Sequence, residues 1–82
     1  MSVVEDAVYA SLREKMPERT AFDRGERFME DLHLSPDDIS AVISVVENRL
    51  SVRVQYRTWQ QVRTIGEMIG LLSAVTRRRK RG

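Results

Sequence analysis

With 82 residues, 41% of them hydrophobic, the chain can form one small domain that buries about 60–65% of the surface its unfolded form exposes, which leaves no room for a deep active-site cleft. The lack of cysteine excludes disulfides, thiolate nucleophiles and thiolate metal sites together. A net charge of +2, no apolar run approaching the roughly 18 residues of a membrane span, and an acidic start MSVVED unlike a secretory signal lead to the expectation of a soluble, unprocessed, cytoplasmic protein.

From about Val3 to Met16, Val4, Val8 and Leu12 fall four apart, flanked by Ala7 and Tyr9. Glu5, Asp6, Arg13, Glu14 and Lys15 cover the other side of what reads as an amphipathic helix, stopped by Pro17. Residues 17 to 31 carry turn and polar types, among them Thr20, Asp23 and Gly25, interrupted by Phe22, Phe28 and Met29. They predict a long loop that drops aromatic and apolar anchors onto the core.

The strongest signal follows. Ile39, Val42, Ile43, Val46 and Leu50 recur at three- and four-residue steps, while Asp37, Ser44 and Asn48 face away, as on a helix with one apolar stripe. Its start carries its own chemistry. Ser35 can accept a backbone N–H, Pro36 suits the first helical position where a donor would be unpaired, and Asp37 and Asp38 favour the positive end of the dipole.

Beyond this helix, residues 51 to 54 read as a short extended link that implies no sheet, and 58 to 62 as a single helical turn burying Trp59 and Val62. Thr64 and Glu67 have the spacing of a capping box, opening a last helix with Ile65, Met68, Ile69, Leu72 and Val75 on its apolar stripe. Five of the 14 basic residues, Arg77, Arg78, Arg79, Lys80 and Arg81, close the chain and leave 9 basic against 12 acidic residues before them. The expected division is therefore a helical bundle over residues 1–76 and a basic, disordered tail over 77–82.

The order of these elements, together with Phe28, the run Glu30-Asp31-Leu32, Asp38 and Glu47 on the second helix, the link Val52-Arg53-Val54 and Thr64-Ile65, resembles the acyl carrier proteins over about residues 3 to 75 without a gap. That resemblance implies an all-α, four-helix bundle with a long first loop and a short third helix. Members of the family carry Asp-Ser-Leu shortly after the Glu-Asp-Leu run, and the serine is esterified by 4′-phosphopantetheine. Here the corresponding residues are Ser35-Pro36-Asp37. Proline has no hydroxyl to accept a phosphoryl group, so the usual attachment point is absent. Ser35 stands one place earlier, where capping already accounts for it, and is the fallback position for a 4′-phosphopantetheine cofactor.

Other constellations have bland readings. His33, the single histidine, has neither a cysteine nor a second histidine to share a metal and reads as a loop side chain. Glu30, Asp31, Asp37 and Asp38 lack the spacing and central glycine of a calcium loop and read as solvated charges near a helix start. Trp59 is assigned to the core, while Tyr56, near Arg53, Arg57 and Arg63, is left open between packing and an aromatic, basic patch.

The outward positions Ala41, Ser44, Val45 and Asn48 of the second helix are small and uncharged, with acidity kept only by Asp37, Asp38 and Glu47. Such a face admits close approach by another helix, and the alternative is an ordinary exposed face. No nucleophile, base and orienting group recur together, so the chain does not read as an enzyme. The reading is an acyl-carrier-like, non-catalytic protein-binding module whose second helix meets a protein partner, such as a biosynthetic enzyme. One alternative is a true carrier modified at Ser35, and another is a small protein whose basic tail binds nucleic acid or an anionic surface.

Overall fold

The computed structural model describes residues 2–81, with side chains through Arg78, as four helices: α1 Val3–Lys15, α2 Pro36–Leu50, α3 Tyr56–Trp59 and α4 Ile65–Arg81. Among the described residues there is no strand, and no helix is long and apolar enough to cross a membrane. The all-α expectation and the apolar stripes of α1, α2 and α4 are met.

Each helix begins where its local chemistry allows. Ser2 caps α1 by accepting the Glu5 N–H at 2.9 Å, and the helix ends at Lys15, with Met16 as its C-cap just before Pro17. For α4, Thr64 Oγ1 accepts from the Glu67 N–H and the Glu67 carboxylate accepts from the Thr64 N–H, both at 3.1 Å, so the reciprocal box predicted from the sequence is formed. The short α3 starts at Tyr56, two residues before the expected turn, because the Gln55 carbonyl accepts from the Thr58 and Trp59 N–H groups.

α1 packs against both α2 and α4. Leu12, Ile65, Met68, Leu72, Val8 and Val46 are almost wholly removed from water, each worth about 1.5–3 kcal/mol of transfer free energy. Ser11 is the buried polar residue of this interior, and its hydroxyl donates to the Ala7 carbonyl one turn back at 2.7 Å. Trp59 is buried as expected, while Val62 and Val75 are only half-buried.

The long first loop is anchored, though not by all the residues expected. Phe28 is buried and Phe22 is half-buried, its ring stacked on Tyr9 at 6.4 Å with the Arg19 guanidinium 5.0 Å from its centroid. Met29, by contrast, is 53% exposed, and Leu32 and Leu34 supply the buried contacts instead. Hydrogen bonds from the Asp31 and Leu32 N–H groups to the Arg27 carbonyl coil the chain after Phe28, which directs Met29 outward.

The loop is also sewn to the start of α4. Phe28 donates to the Arg63 carbonyl, Ile65 to the Glu26 carbonyl and Gly66 to the Arg24 carbonyl, making an isolated antiparallel bridge between Arg27 and Thr64. A Cβ on Gly66 would stand 3.1 Å from the Arg24 carbonyl oxygen, so this approach favours glycine.

Helical backbone continues from the body of α4 through Arg81, over the basic run expected as a tail; Gly82 lies outside the described residues. Arginine and lysine are good helix formers, and cations are favoured at a helix C-terminus, so α4 can run on without a buried face.

Candidate functional site

The start of α2 brings together the residues on which the family resemblance turns. Ser35 has extended backbone and is the N-cap, and Pro36 occupies the first helical turn. The Ser35 hydroxyl accepts from the Asp38 N–H and the Asp38 carboxylate accepts from the Ser35 N–H, each at 3.1 Å. Two backbone donors that the helix would leave unpaired are thereby satisfied. Lys15, at the end of α1, reaches the other Asp38 oxygen at 2.9 Å. Its ammonium, followed by the Ser35 backbone and hydroxyl, holds the Asp38 carboxyl below its ordinary range.

Two of the remaining carboxylates of this end share one guanidinium. Asp31 closes on the backbone and guanidinium of Arg27, whose hydrogen bonds hold its carboxyl below the ordinary carboxylate range, and Glu30 pairs with the same guanidinium at 3.7 Å. Two cations, Lys15 and Arg27, thus pair with three of the four acids, and among the described residues no cluster of acids and histidines is arranged to hold a metal. His33 is exposed and takes a positive φ of 58° as the loop turns into the helix.

Along α2, Asp37, Ala41, Ser44 and Asn48 are exposed, and their spacing of four, three and four places them on one outward stripe. Asp38 and Val45 are half-buried at its border. Glu47 does something the sequence reading missed. It is half-buried, and a single carboxylate oxygen accepts the Val54 N–H at 2.9 Å and the Trp59 indole N–H at 3.0 Å. Of the seven residues assigned to the partner face, Glu47 is therefore occupied in fastening the following link and α3 to α2. Tyr56, left open in the sequence, is 74% exposed at the start of α3.

A second feature is the separation of charge, which extends beyond the basic end of the chain. Residues 1–47 hold eleven acidic and five basic side chains, whereas 48–82 hold one acidic and nine basic. Ion pairs involve Lys15, Arg19, Arg24, Arg27 and Arg49. Arg49 reaches Glu14 on α1, whereas Arg53, Arg57, Arg77 and Arg78 have no carboxylate within ion-pair distance among the described residues. This pattern can be read by counting signs on either side of Glu47.

What these surfaces can do chemically is bind. The start of α2 offers one exposed serine hydroxyl engaged as a cap, the outward stripe offers small side chains, and the C-terminal part offers unpaired guanidinium groups. Comparison with family models, with curated proteins and with solved structures finds no match to the chain.

Proposed function

We propose that the chain is an acyl-carrier-like helical bundle without a prosthetic arm, working as a non-catalytic module that presents the outward stripe of α2 to a protein partner, such as a biosynthetic enzyme of the kind carriers serve. The observation that carries this reading is the start of α2. Pro36 occupies the first helical position, where the resembling family has its modified serine, and the neighbouring Ser35 hydroxyl is engaged in a reciprocal cap with Asp38. The order of four helices, with a long first loop and a very short third helix, supports the same reading.

A carrier modified at Ser35 is the second reading, favoured by the exposure of that side chain. A hydroxyl that accepts the Asp38 N–H still has a proton to lose and a lone pair to use.

Co-expression with a broad-specificity phosphopantetheinyl transferase and intact-mass analysis separates the two. The wild-type chain is expected to keep the mass of the bare polypeptide. The triple variant Ser35→Asp, Pro36→Ser, Asp37→Leu restores the family's local motif and keeps a good N-cap in the aspartate, so it is expected to accept the arm. An adduct on the wild type that is lost in Ser35→Ala would replace the module by a carrier. No adduct on the triple variant would count against the carrier-like arrangement itself.

A further inference from the structure

We propose that the cleft between the α2–α3 link and the C-terminal half of α4 binds an acidic amphipathic helix of a protein partner, at a site separate from the outward stripe of α2 and independent of the reading above. The cleft is a shallow, open groove of about 630 Å³, with Val52, Val54, Leu71 and Val75 contributing apolar surface and Arg53 and Arg78 contributing charge from opposite elements. The four aliphatic side chains are only half-buried, so a further apolar surface can still be laid on them.

Charge complementarity decides the kind of occupant. The only acid after Glu47 is Glu67, and its carboxylate accepts the Arg63 and Thr64 N–H groups at the start of α4. No carboxylate of the described residues pairs with Arg53 or Arg78. A guanidinium presents a planar fork that matches a carboxylate with two parallel hydrogen bonds. A partner with carboxylates flanking an apolar stripe would satisfy both rim and floor, and side chains at helical spacings of three and four provide such a stripe.

The lining also weighs against other polyanions. Bases of single-stranded nucleic acid bind by stacking on aromatic faces, but no aromatic side chain lines the cleft: Trp59 is turned into the core, and the exposed Tyr56 lies outside the lining. A bilayer is met by protruding, exposed apolar side chains, whereas these four are half-buried in the groove.

The test uses the full chain and fluorescence anisotropy. The probe is a labelled synthetic helix of about five turns, with leucine at every third and fourth position and glutamate on both flanks. Its comparators are a scrambled peptide of the same composition, a single-stranded oligonucleotide of equal charge, and vesicles containing phosphatidylglycerol. The amphipathic probe is expected to bind at least about tenfold more tightly than the scrambled one, and to weaken as salt screens the guanidinium groups. Because Arg53 and Arg78 are exposed, the double variant Arg53→Glu, Arg78→Glu should melt as wild type does while losing at least about tenfold in affinity. Equal binding of the scrambled peptide, preferential binding of oligonucleotide or vesicles, no binding of the probe, or undiminished affinity in the double variant would each overturn the proposal.

Discussion

The two ends of α2 are each fastened by a carboxylate, but in opposite ways. At the N-terminal end, Asp38 closes on the backbone of Ser35, three residues away, and takes Lys15 as a partner. At the C-terminal end, Glu47 reaches forward to Val54 and Trp59, seven and twelve residues ahead, and holds two donors on one oxygen. The first arrangement starts a helix; the second joins that helix to the rest of the fold. Loss of the first should be confined to one helical turn, whereas loss of the second should leave polar groups without partners beside the core.

The largest expected effect is at the far end. Glu47→Ala removes the acceptor of both the Val54 N–H and the buried Trp59 indole N–H and should destabilise the fold by about 2–3 kcal/mol, since an orphaned buried donor costs more than a hydrogen bond gains. Denaturant titration followed by tryptophan emission measures it directly. A shift no larger than that of an exposed surface substitution would remove the tertiary role assigned to Glu47.

At the near end, Ser35→Ala leaves the helix itself in place and deletes one cap, so its cost should be about 1 kcal/mol. Measured in the same titration, it should fall clearly below the cost of Glu47→Ala; the reverse order would break the contrast between the two ends.

The smallest effect separates the ends by pH. Lys15 and the Ser35 cap hold the folded Asp38 carboxyl below its unfolded value, so their contribution is complete above that value and is lost as acid carries the group through its folded one. Below about pH 4, wild-type stability should therefore fall more steeply than that of Asp38→Asn, and above it the two slopes should converge. Thermal melts across that range check the sign, and parallel curves would mean that the cap and Lys15 act on Asp38 without changing its titration.

This difference of ends also marks what could be read from the sequence. The caps of Ser35 and Thr64 span three residues, as do the steps of the apolar stripes, and both appear in a short window of sequence. Glu47 looked like an outward acid because helical spacing places it beside Ser44 and Asn48; only the return of the chain through Val54 to Trp59 brings donors to it. Met29 failed as an anchor for a related reason, since its hydrophobicity was visible but the coiling of the loop after Arg27 was not.

The bridge between Arg27 and Thr64 has a consequence for how the molecule comes apart. It closes a loop of the chain that contains α2, the link and α3, with hydrogen bonds from Phe28, Ile65 and Gly66 as its clasp. Closing so long a loop has an entropic cost that local helix formation cannot offset alone, so the clasp belongs to the later, cooperative part of assembly. Once closed, it prevents the second and third helices from swinging free while the first loop and the last helix stay joined. The Phe28, Ile65 and Gly66 amides should consequently exchange with solvent through the same opening event, even though they lie on segments far apart in the chain.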